Sequence, residues 1–161
     1  MSGWHELATA LDTCYTLFLE DLSEPQENVL RLILVGGKRN PESESQTIAG
    51  VKFEDLHRVG PTPNSRRFEL VWNRYIAYSV TNESFGRPVA DEVSYAGKFV
   101  RGYLKSEFLD YVARSTIATT EYPGPQMHIR IFSENHIVDV VSTEMPTLRN
   151  LCDPLIEPWV N

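Results

Sequence analysis

The residues whose types and placement could carry chemistry are Arg74, Tyr78, Glu83 and His128. A guanidinium, a phenol, a carboxylate and an imidazole are the groups a metal-free binding or hydrolytic pocket would use. Arg74 stands out because of its neighbours. In the run from Arg66 to Phe85, alternate residues Phe68, Leu70, Trp72, Ile76, Tyr78 and Val80 fall on one side, broken only by Arg74. A lone charge on a buried face is costly. Arg74 therefore pairs with a buried acid, lines a cavity for an anionic ligand, or is turned outward by a bulge. Glu83 follows Asn82 where that run ends, and a loop acid at a strand end is well placed for binding. The plainer reading has Asn82 making a turn and Glu83 capping a backbone group.

Other chemistries find little support. His5 and His57 are isolated, and His128 and His136 lie on two arms of one hairpin roughly 16 Å apart at strand rise. Cys14 and Cys152 sit near opposite ends with no ligand spacing, so neither a metal nor a cofactor is expected. Ser84 lacks the glycines of a nucleophile elbow. Gly36-Gly37-Lys38-Arg39 runs into Asn40-Pro41, not into the Lys-Ser/Thr pair and helix of a phosphate loop. The adjacent acids Glu54-Asp55 and Asp91-Glu92 read as solvated surface.

The formal charge of −7 argues against a sequence-independent nucleic-acid binder, which needs a basic face. With 42% apolar and 23% charged residues, the composition is that of an ordinary globular protein, and 161 residues fit one domain, 1–161. The start, Met1-Ser2-Gly3-Trp4-His5-Glu6, has no signal-peptide pattern, and no apolar run is long enough to span a membrane. The expectation is a cytoplasmic protein with two free thiols and no membrane contact.

The elements that must position these groups follow from periodicity. Trp4, Leu7, Leu11, Cys14, Phe18 and Leu22 keep helical spacing, which predicts an N-terminal helix closed by Ser23-Glu24-Pro25. Asn28–Val35 reads as a central strand, residues 38–47 as a polar surface loop, and Ile48–Val59 as holding a second strand around Val51-Lys52-Phe53, with Leu56 near its end. Phe68–Val80 would span ~44 Å as one strand, so a bulge or sharp bend is expected near Asn73-Arg74. Val93–Leu104 is read as a strand, and residues 106–115 as a helix capped by Ser106. The hairpin after Pro125 has a definite register. Pairing Phe132 with Ile137 sets Arg130 opposite Asp139 and buries Ile129, Ile131, Val138 and Val140 together. Leu148, Leu151, Cys152 and Leu155 predict a final helical turn, with Trp159 docking the tail.

The fold expected is α+β: a mainly antiparallel sheet of about six strands, with the N-terminal helix and the 106–115 helix packed on one face. The function expected is that of a non-catalytic protein- or ligand-binding module, with another protein as the candidate partner and tyrosines supplying rigid contact area. The alternative is a small metal-independent hydrolase or ligand-binding enzyme, which requires Arg74, Glu83 and a histidine to converge on one pocket near the long strand. Oligomeric state is not legible.

Overall fold

The structure, a computed structural model, describes residues 2–87 and 93–151. In order it comprises α1 (Ser2–Asp12), β1 (Thr16–Gln26), β2 (Val29–Ile48), β3 (Val51–Pro61), β4 (Arg67–Trp72) and β5 (Tyr75–Asn82). A 3-10 turn (Glu83–Phe85), β6 (Tyr95–Ala96), β7 (Val100–Tyr103), α2 (Glu107–Ser115), β8 (Met127–Phe132), β9 (His136–Ser142) and β10 (Thr147–Asn150) complete it. The class is α+β, and every ladder between these strands is antiparallel. The strands divide between two five-stranded sheets instead of forming one sheet of about six. The first runs β1-β2-β4-β10 with β3 beside the outer part of β2, and the second runs β5-β9-β8-β7-β6.

One core lies between the sheets. Leu30, Leu32 and Leu34 pair with Trp72, Leu70 and Phe68, and these six meet Ile129, Ile131, Val138 and Val140 of the second sheet. Interlocking apolar faces of this kind are what holds two packed sheets together. The stretch Arg66–Phe85 connects them. Its expected bend at Asn73-Arg74 is the point where the chain leaves the first sheet and enters the second. A further register shift between Tyr75 and Ala77 leaves Ile76 unpaired, and Tyr78 then falls opposite Val140 on the core side.

The N-terminal helix ends at Asp12, not at Leu22. Cys14 N–H closes it on the Leu11 carbonyl, and Thr13 Oγ1 bonds the Ala10 carbonyl. Beyond it, Leu17 and Leu19 alternate as in a strand. A bulge at Glu20 then returns Leu22 to their face, opposite Leu32. Phe18 and Leu22, which fit one helical stripe, thus fall on opposite faces of the strand.

The two helices lie on opposite faces of the second sheet, not on one. α1 meets the core side, where a Cβ on Gly102 would sit 2.1 Å from the Trp4 ring. Only glycine admits the indole there. α2 covers the other side, its Phe108 ring edge-on to His128 at 5.3 Å. Neither helix is long and apolar enough to cross a membrane.

Residues 38–47 are strand, not loop. β2 continues past its last partner in β1, Gly37, and folds back as β3 through Ala49-Gly50. Both turn residues have positive φ, 50° and 81°, the signature of a tight two-residue hairpin turn. At Gly37 a Cβ would strike the Phe18 ring at 2.6 Å, so the Gly36-Gly37 pair serves close strand passage. At the other end, Thr147–Asn150 forms β10 beside β4, replacing the helical turn expected from Leu148. Cys152, Leu155 and Trp159 lie outside the described residues.

Candidate functional site

The hairpin β8–β9 adopts the expected register, with Arg130 opposite Asp139 and Ile131 opposite Val138. One face of it is the core. The other carries His128, Arg130 and Asp139, and α2 closes over it. His128 Nε2 lies 2.6 Å from Asp139 Oδ1, and Ser106 Oγ lies 2.9 Å from His128 Nδ1. Arg130 grips the same carboxylate with Nε at 2.6 Å and an Nη at 3.2 Å. Tyr103 stacks on the imidazole at 4.8 Å. All three members of the Ser–His–Asp line are buried. Burial pushes the Asp139 carboxyl up, but hydrogen bonds from His128 and Arg130, with the Arg130 charge, outweigh it and hold the group below its ordinary value.

This line has the composition of a hydrolase triad and the wrong arrangement for one. In serine hydrolases the hydroxyl faces Nε2 and the carboxylate faces Nδ1; here the two are exchanged. Ser106 Oγ is also the N-cap of α2, accepting from the Leu109 N–H at 3.1 Å. Ser106 is 2% and His128 0% exposed among the described residues, which closes the hydroxyl to a substrate carbonyl in this conformation. The arrangement ties α2 to the sheet by satisfying polar groups that the helix would otherwise bury bare.

No family model, curated protein or solved structure matches this chain. Function must be read from its own geometry.

The four residues singled out by sequence are dispersed. Arg74 is exposed at the crossing between sheets, where its carbonyl accepts from Ser142 Oγ at 3.1 Å. Glu83 begins the 3-10 turn at the far end of β5, roughly 30 Å from Arg74 at strand rise. His128 is buried under α2. Tyr78 and Tyr75 both donate to Glu24 Oε1, at 3.0 and 2.7 Å. That bond, with burial and the Glu24 charge, pushes Tyr75 up to about 12, and burial followed by Glu24 raises Tyr78. Asn82 caps the 3-10 turn by accepting from Ser84 N–H, which is the turn-making role expected of it.

Glu83 does border a cleft of about 620 Å³, opposite Lys98 and Arg101. Lys98 sits over the Phe99 ring at 4.5 Å and Arg101 over Phe132 at 4.8 Å. A smaller cavity of about 390 Å³ opens on Asp139 and Arg130 between α2 and the 3-10 turn. Among the described residues no three His, Cys, Asp or Glu side chains gather as metal ligands would. Cys14 is no better placed as a nucleophile, since burial pushes its thiol up, away from the reactive thiolate.

The largest feature absent from the sequence reading is an arm. Among the described residues, β2 from Lys38 outward pairs with β3 alone, and β3 pairs with nothing but β2. The hairpin stands roughly 30 Å beyond the sheet at strand rise. At its tip Ile48 pairs with Val51 and Gln46 with Phe53, which puts the three apolar side chains on one face. They are 52%, 56% and 45% exposed, too open for a core of their own. The signal in the sequence was Ile48-Ala49-Gly50-Val51, a hairpin turn flanked by β-branched residues. The polar run before it hid the strand.

Proposed function

We propose that this protein works by binding another protein, and that the arm Lys38–Pro61 makes the contact. The observation that carries this is the tip face: Ile48, Val51 and Phe53 stand together, half-exposed, on a ladder that pairs with no other strand among the described residues. A hairpin with both faces in water gains little from burial and is marginal by itself. An apolar cluster carried on such an arm, outside the core cluster of the described residues, is placed for docking. The buried Ser106–His128–Asp139 line, by contrast, has a complete structural explanation.

A photo-crosslinking residue in place of Phe53 tests the reading, with the same residue in place of the exposed Glu121 as control. The expected result is a discrete crosslinked product from the arm position only. Excess intact protein should compete it away, and a chain whose arm is replaced by a short turn should not. A product that forms equally from both positions, or one that the armless chain competes, refutes the proposal.

The second reading, a metal-independent hydrolase, draws on the Ser–His–Asp distances alone. A fluorophosphonate probe should leave Ser106 unlabelled. Labelling that is abolished by Ser106→Ala would replace the binding reading with an enzymatic one.

A further inference from the structure

We propose that the cleft shared by Lys98, Arg101 and the 3-10 turn is a binding site, separate from the arm, for a small organic monocarboxylate with an apolar body. The observation that carries this is how the two cations are held. Lys98 Nζ is fixed by the carbonyls of Cys14 and Tyr15, at 3.1 and 2.6 Å, and lies over the Phe99 ring. Arg101 lies over the Phe132 ring at 4.8 Å. Carbonyls and aromatic faces orient a cation without neutralising it. Among the described residues no carboxylate bonds either charge. By contrast Arg31, Arg67, Arg130 and Arg149 each hold an acid. The nearest acid to Arg101 across the sheet is already taken. β7 sets Arg101 directly opposite Arg130, and Asp139 is held by Arg130 and His128. Like charges directly opposite on a sheet repel, and an anion beside Arg101 offsets that repulsion.

Size and charge narrow the ligand. The cleft, about 620 Å³, falls in the ordinary range of small-molecule sites, and Phe99, Phe132 and Ile137 give it an apolar wall. Arg87, Lys98 and Arg101 line it against Glu83 and Glu134, which among the described residues leaves a single positive charge to be matched. Two of these groups are already engaged, Arg87 with Glu107 at 3.6 Å and Glu134 with the Thr16 hydroxyl. Glu83 therefore sets the limit on how much negative charge the cleft accepts. A phosphate monoester carries about −1.5 to −2 at neutral pH and would meet that carboxylate in excess. A carboxylate carries one charge, and its two oxygens suit the planar fork of a guanidinium. The head of the ligand thus meets Arg101 and Lys98, and its body lies along Phe132 and Ile137.

Cinnamate and its uncharged isostere cinnamamide, titrated into the full chain at neutral pH and followed by amide NMR shifts, separate this site from nonspecific apolar binding. Cinnamate should saturate with a Kd below about 1 mM, and cinnamamide should bind at least about tenfold more weakly. Arg101→Gln should weaken cinnamate by at least about tenfold with an unchanged melting temperature, since Arg101 is exposed. Glu83→Gln should act in the opposite direction, tightening cinnamate roughly twofold by removing one solvent-screened like charge. If Arg101→Gln lowers the melting temperature, the Glu83→Gln change decides. Phe53→Ser, on the arm, should leave the affinity as it is. Absent or unsaturable cinnamate binding overturns the inference, as does equal binding of the amide or full affinity in a stable Arg101→Gln chain. A Glu83→Gln chain that binds no tighter overturns it too, and so does phenyl phosphate binding more tightly than cinnamate. Loss of binding in Phe53→Ser would place the probe on the arm and overturn it as well.

Discussion

Replacing Asp139 with Asn should destabilise the protein far more than a surface ion-pair change. The carboxylate accepts from His128 Nε2 and from two guanidinium nitrogens of Arg130, and its side chain is 8% exposed. Asparagine keeps the size but offers one acceptor oxygen and no charge, so Arg130 loses this carboxylate beside a fully buried imidazole. Removing one partner of a buried pair typically costs about 3–5 kcal/mol. In a chain of this length each kcal/mol shifts the midpoint by roughly 2–4 °C, so a fall of the order of 10 °C is expected. Urea unfolding of Asp139→Asn at neutral pH measures the loss. Glu54→Gln, which breaks the exposed Lys52–Glu54 pair, is the control at about 0–1 kcal/mol. The effect should also depend on pH. Asp139 titrates lower in the folded chain than in the unfolded one, so its contribution is complete above the ordinary carboxylate value and fades as pH falls through the lowered one. The gap between wild type and variant must therefore shrink in acid. A variant within about 0.5 kcal/mol of wild type at neutral pH, the range of an ordinary surface change, would show that the buried line holds nothing together.

Two other expectations concern the ends of the molecule. Gly102→Ala should displace Trp4 and loosen α1, since the added Cβ meets the indole at 2.1 Å; a cost of about 1–3 kcal/mol and a changed Trp fluorescence in the native state are expected. Native fluorescence and stability equal to wild type would mean that the helix does not seat there. Glu24→Gln should bring the Tyr75 titration down from about 12 toward the ordinary phenol value, seen as tyrosinate absorbance appearing at lower pH. An unchanged titration curve would remove Glu24 as its cause.

Local pattern was enough wherever a segment is covered on one face and bare on the other, or wherever its own residues close it. The β8–β9 register was legible because a slip by one residue would drive Asp139 against Ile129. Ser106 as the cap of α2, and the break at Asn73-Arg74, were legible for the same reason: a cap and an interrupted apolar face are properties of neighbouring residues. Tertiary structure decided the rest. That the chain crosses from one sheet to another at Arg74, where a local bulge would have served equally, depends on a second apolar face lying across the core. That Asp139 is buried depends on α2 folding over the face opposite the core, which no alternation within the hairpin records. The diagonal contact of His128 with Asp139 followed from the register, yet its partner Ser106 comes from an element 22 residues away in sequence. The arm was hidden because both its faces are wet. Without a buried side there is no alternation to read, so its ladder is specified by the turn at Ala49-Gly50 and by backbone hydrogen bonds that every sequence possesses.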